Sequence, residues 1–115
     1  MNPERVALVH AAVMGVEVRP KGRKGNWQYH ASFGWTWLPP YDERLVFGVW
    51  LPRLQADGWT WASSGFEDGT NFQISRYNSE KHARDSGHSR ATPHAHEAAG
   101  EAIAQAMQVG EGVTV

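Results

Sequence analysis

From Trp27 to Trp37 every odd position holds Trp, Tyr, Ala, Phe, Trp or Trp, and every even position holds Gln, His, Ser, Gly or Thr. Side chains alternate across a β-strand, so a period of two places five aromatic rings on one face and polar groups on the other. Each covered ring removes about 150–250 Å² from water. A face this apolar needs a roof, and the run predicts the inner layer of a sheet packed under helices. Gly34, inside the run, marks a bulge.

Helices to supply the roof are signalled towards both ends. Asn2 can cap free N–H groups, and Pro3 loses no hydrogen bond at the first helical position, so a helix is predicted from Pro3 to Met14. Val6, Val9, His10 and Val13 share one of its faces, and Gly15 stops it in a left-handed turn. Val16-Glu17-Val18 then alternates as a short strand. Thr92-Pro93 repeats the cap-plus-proline signature ahead of a helix predicted from His94 to Gln108. Its face of His96, Ala99, Gly100, Ile103 and Met107 is mostly small, which lets a helix lie close on a sheet. Gly110 and Gly112 predict a frayed tail over 110–115.

The middle of the chain is less decided. After the turn Pro39-Pro40-Tyr41-Asp42-Glu43, the apolar run Arg44–Leu51 fits a strand buried on both faces or a helix capped by Asp42. Val46, Phe47, Gly48, Val49 and Trp50 are poor helix formers, and Pro52 inside a helix costs about 3 kcal/mol. The expectation is a strand, then a short helical turn from Pro52 to Asp57 ended by Gly58. Trp59-Thr60-Trp61 opens another strand, and Glu67-Asp68-Gly69-Thr70 is a hairpin turn into Asn71–Tyr77. Gly-Trp-Thr-Trp occurs at 34–37 and 58–61, as two strands meeting the core in the same way. Residues 78–91 hold no large aliphatic or aromatic side chain and read as a mobile polar loop. The expected fold is one α+β domain over 1–115, an antiparallel sheet of four to five strands packed by an N-terminal and a C-terminal helix.

The absence of cysteine removes disulfides, thiolate nucleophiles and cysteine-based zinc motifs, and favours a reducing cytoplasm. The first residues carry Glu4 and Arg5 ahead of a short apolar stretch broken by His10, which fits neither a signal peptide nor a membrane span. Net charge is only −1, yet residues 1–37 carry five basic and two acidic side chains against two and five in 38–74. The basic turn with Arg19, Lys21, Arg23 and Lys24 precedes the aromatic run, a pairing used by single-strand nucleic-acid binders. A solvated hairpin tip explains it more simply. His82, His88, His94 and His96 are weak metal candidates, since His94 and His96 at i, i+2 on a helix face different ways. Ser63-Ser64-Gly65 stands in no nucleophile elbow, and there is no phosphate loop and no pair of carboxylates at informative spacing, so neither an enzyme nor a cofactor is expected. Six tryptophans exceed what a small core needs. Trp35, Trp37, Trp50, Trp59 and Trp61 are therefore candidates for an exposed binding patch, with burial under the helices as the equal alternative.

Trp-Leu-Pro-Pro-Tyr-Asp-Glu-Arg-Leu (37–45), Gln-Ala-Asp-Gly-Trp-Thr-Trp (55–61) and the Ala-rich segment Thr92–Met107 together resemble small accessory proteins encoded by phages and prophages. The resemblance implies a helix–sheet–helix sandwich and a role as a host-takeover or anti-defence factor, anti-CRISPR inhibitors among them. In that group the segment before Gly-Trp is usually helical, and Pro52 departs from the pattern. The implied partner is a host protein in the host cytoplasm, with a homodimer as a further arrangement. A nucleic-acid-binding accessory domain and a histidine-metal protein are the alternatives.

Overall fold

The computed structural model describes residues 1–22, 26–66, 69–89 and 92–110. Arg23, Lys24, the Glu67-Asp68 turn, Arg90, Ala91 and the tail from 111 to 115 lie outside the described residues. The elements are α1 (Pro3–Met14), β1 (Val18–Pro20), β2 (Trp27–Ala31), β3 (Gly34–Trp37), a helix α2 running on through Glu43–Leu45, Val46–Trp50 and Leu51–Ala56, then β4 (Thr60–Phe66), β5 (Gly69–Asn78), β6 (Ala83–His88) and α3 (Ala95–Ala106).

The α+β class holds, but a single sheet of four to five strands does not. Among the described residues there are two three-stranded antiparallel sheets, β1-β2-β3 and β4-β5-β6. The segment expected to join them as a strand, Arg44–Leu51, is helical instead. Asp42 caps it, its carboxylate accepting from the N–H groups of Arg44 (2.9 Å) and Leu45 (3.2 Å). Val46–Trp50 has π-helical bonding, and the Leu51 N–H donates to the Val46 carbonyl five residues back. That wider turn suits the sequence: Leu45, Val46, Trp50, Leu51 and Leu54 are buried, while Phe47, Gly48 and Val49 face outward. The continuous apolar run thus divides between two helix faces rather than two sheet faces. Pro52 sits where the π-segment returns to α-helix, so its missing N–H and bulky ring fall beside turns that are already slackened.

The alternating run Trp27–Trp37 is not one strand either. It folds back after Ala31 as a hairpin, with Ser32 and Phe33 between Ala31 and Gly34, which pair. Gly34 takes φ +125°, a conformation that disfavours side chains, so the glycine marks the hairpin's return and not a bulge. A two-residue connection reverses parity, because odd positions on β2 lie opposite even positions on β3: Tyr29 faces Thr36, and His30 faces Trp35. The rings of one odd series therefore go to opposite faces of the sheet.

The polar stretch 78–91, expected as a mobile loop, contains strand β6, paired with β5 from Gln73↔His88 to Asn78↔Ala83. Strand pairing needs backbone groups and not apolar side chains, and composition misjudged it for that reason. Asp85 anchors the hairpin by accepting from Asn78 Nδ2 (3.1 Å) and Lys81 Nζ (3.4 Å).

The ends of α1 follow local chemistry as expected, but α3 starts at Ala95 with His94 at its N-cap and no side-chain cap, because the Thr92 hydroxyl donates to the His94 carbonyl instead. Asn2 Oδ1 accepts from the Arg5 N–H at 2.8 Å, and Gly15 closes α1 at φ +67°. The small face of α3 lies on β5 and β6 so closely that a Cβ on Gly87 would fall 2.0 Å from the Ala102 carbonyl oxygen. Phe72, Ile74, Ile103 and the alanines of α3 join Val6, Val9, Val13 and the buried face of α2 in one core. Arg5, buried on α1, ties the two terminal helices by pairing with Glu101 and donating to the Val109 carbonyl (3.1 Å). Among the described residues no helix is long and apolar enough to cross a membrane.

Candidate binding surface

The β1-β2-β3 sheet has one covered face and one open face. Tyr29 points to α1, its ring edge-on to His10 at 4.6 Å. Register then places Arg19, Gln28, His30, Trp35 and Trp37 together on the other face. There the Arg19 guanidinium lies over the Trp35 ring, 4.0 Å from its centroid. Arg19 Nε and Nη2 both donate to Gln28 Oε1, at 3.0 and 2.9 Å. The His30 ring meets the Trp35 ring in a T-shaped contact at 5.2 Å. Arginine, glutamine and indole thus hold one another, and Gln28 is buried beneath them although it faces outward. Such a layer is ordered before anything binds, which lowers the entropy cost of docking.

Two aromatic side chains frame this layer. Trp37 is 57% exposed at one end of the sheet, and Phe33 is 81% exposed at the hairpin tip. Beside Trp37 opens a cleft of about 370 Å³ lined by Met1, Pro3 and Val6 from the start of α1, by Trp27 and Trp37, and by the Leu38–Tyr41 segment. Apart from Asn26 its lining side chains are apolar or aromatic, and polar atoms form a good part of its surface. Burial, and then the charges of Glu101 and Glu97, push the Tyr41 phenol up to about 12, so it stays protonated and donates to the His96 carbonyl at 3.2 Å. The cleft therefore offers shape and apolar contact with no ionised group from Tyr41, and suits an inserted apolar side chain.

The structure divides the tryptophan candidates. Trp35 and Trp37 belong to this surface. Trp50 is 0% exposed and Trp59 4%, which removes both from any exposed patch. Trp50 instead donates its indole N–H to His10 Nδ1 at 2.9 Å across the α1–α2 interface, and Trp59 lies under the Arg76 guanidinium. Trp61 is 40% exposed but stands on the other sheet, stacked on Phe72. Lys21 is exposed just past β1, at the Trp27 and Trp37 end of the sheet, whereas Arg23 and Lys24 lie outside the described residues.

The histidines do not converge. His82 sits in the β5–β6 turn, His88 ends β6, and only the His94 and His96 rings stack, 5.9 Å apart. Among the described residues no group of three or more His, Asp or Glu side chains is placed to hold a metal ion.

Phe33, His30, Gln28 and the Pro39–Tyr41 wall are parts of the surface that period counting alone passes over. The signal for them was present in Ser32-Phe33-Gly34, a turn-like tripeptide in mid-run. Comparison with protein-family models, with curated proteins and with solved structures finds no match to this chain.

Proposed function

We propose that this protein is a binding module that docks the open face of its N-terminal sheet on a protein of the host cell, acting by occlusion as a phage-type accessory inhibitor. The observation that carries the reading is the uncovered pair Trp37 and Phe33 flanking the Arg19–Trp35 stack, with the apolar cleft alongside. Tryptophan and arginine dominate the energetics of protein–protein contacts, and rigid rings deliver contact area at low entropy cost. An anchoring side chain of the partner fills the cleft while Trp37 packs beside it. The site is in the cytoplasm of the host.

The test is affinity capture from nuclease-treated host lysate with the wild-type protein and with a Phe33→Ser/Trp37→Ala variant that retains its circular dichroism. A stoichiometric protein held by the wild type and released by the variant supports the reading. Equal capture by both sinks it. A second reading, single-stranded nucleic acid on the same face, is favoured by the Arg19–Trp35 stack with Lys21 nearby. It requires salt-dependent binding of a labelled oligonucleotide, lost in Trp35→Ala.

A further inference from the structure

Among the described residues each sheet has two edge strands, and three of these four edges carry the usual guards against pairing with another chain. β1 has three residues and ends in Pro20. β3 has four and runs into Leu38-Pro39-Pro40. β6 bears Arg84 and Asp85. β4 has none of these features: Thr60–Phe66 is seven residues long, uncharged and free of proline, and residues 60–65 are all exposed.

The direction of its free backbone groups follows from its neighbour. The Ser89 N–H donates to the Phe72 carbonyl at 2.9 Å, and Ser89 Oγ accepts from the Phe72 N–H at 3.1 Å. Thr70 and Thr92 exchange both backbone bonds, at 2.8 and 2.9 Å. Thr70 and Phe72 therefore turn their backbone groups away from β4. In an antiparallel ladder the residues directly opposite them turn away as well, so Gly65 and Ser63 aim N–H and C=O at the free edge, and Trp61, two residues on, does the same.

From this we infer that β4 pairs antiparallel with β4 of a second copy of this chain, about a two-fold axis through Ser63, joining two three-stranded sheets into one of six strands. The register is self-complementary. With Ser63 opposite Ser63, Trp61 of each copy lies opposite Gly65 of the other, and every outward N–H and C=O of the three residues finds a partner. Side chains fit the same register, because the indole of Trp61, 40% exposed in the single chain, is set beside a residue with no side chain of its own. An aromatic ring covering a cross-strand glycine is a recognised stabilising pair. No charge on β4 opposes the approach.

Sedimentation of the wild-type protein over a dilution series is the first measurement, with residue-resolved amide exchange as the second. A concentration-dependent dimer is expected. Ser63→Pro, which deletes an N–H that the chain's own sheet does not use, should sediment as a monomer with unchanged circular dichroism. In the wild type at high concentration, the Trp61, Ser63 and Gly65 amides should exchange roughly tenfold or more slower than on dilution, while the Thr60, Ala62 and Ser64 amides, bonded to β5, keep their rates. A monomer at every concentration, a dimer that survives Ser63→Pro, or edge amides indifferent to concentration would each overturn the inference. If Ser63→Pro does not fold, amide exchange on the wild type still decides. The outcome is independent of whether the hairpin surface binds a partner.

Discussion

His10 couples the stability of this protein to pH, and the sign follows from one hydrogen bond. Nδ1 accepts from the Trp50 indole N–H at 2.9 Å, so the folded imidazole is neutral and carries its proton on Nε2, which has no hydrogen-bond partner among the described residues. Burial lowers its pKa below the ordinary 6.5. The unfolded chain takes up a proton near 6.5 and the folded chain resists it, so the contribution is fully present above 6.5 and is lost as pH falls towards the lowered folded value. Within that window each pH unit removes up to about 1.4 kcal/mol. Replacing His10 by Gln removes the titration but keeps a side-chain oxygen able to accept from Trp50. Urea unfolding followed by tryptophan fluorescence, at about pH 7 and about pH 5, reads the difference in both proteins. The wild type should lose more stability on acidification than His10→Gln. Equal losses, or a greater loss in the variant, would refute the neutral buried imidazole.

Other substitutions separate packing from surface chemistry. Gly87→Ala drives a methyl to 2.0 Å from the Ala102 carbonyl oxygen and 2.7 Å from the Ala106 nitrogen, both backbone, and should cost about 3 kcal/mol in chemical denaturation. Gly48→Ala, with nothing within 4 Å on exposed α2, should stabilise by about 0.5–1 kcal/mol in the same assay. Glu101→Ala leaves the buried Arg5 charge with the Val109 carbonyl as its one remaining partner among the described residues and should lower stability by about 1–3 kcal/mol, whereas Arg5→Met should cost less because Glu101 regains water. Trp37→Ala should leave the free energy of unfolding in urea within about 0.5 kcal/mol of wild type while abolishing capture of the proposed partner, since its ring is largely in solvent.

Where an element's start or stop is a matter of nearby atoms, the primary structure could be read directly. Asn2-Pro3 and Gly15 bound α1, because a capping side chain, a missing N–H and a left-handed glycine act within one turn of chain, whereas Thr92-Pro93 lies just ahead of α3 without capping it. The β4–β5 pairing was visible for a similar reason, in alternating residues on both sides of a turn-like tetrapeptide. Trp35 and Trp37 were recognised as surface candidates but not told apart from Trp50 and Trp59.

That distinction depends on what comes from a distance. Propensity argued for a strand at Arg44–Leu51, yet a helix there buries Trp50 against His10, forty residues earlier in the chain, and its π-turns match the five-residue step between apolar pairs. The hairpin after Ala31 sends the odd-numbered rings before it and those after it to opposite faces, so a pattern that looked like one core stripe is split between the face towards α1 and the open face. β6 exists because β5 offers it a ladder and α3 offers Gly87 a backbone to rest on, and its own side chains announce neither. Chain ends and turns are fixed by short-range bonds within a few residues, whereas which face of a strand or helix meets water is set by the elements packed on it, and those lie far away along the chain.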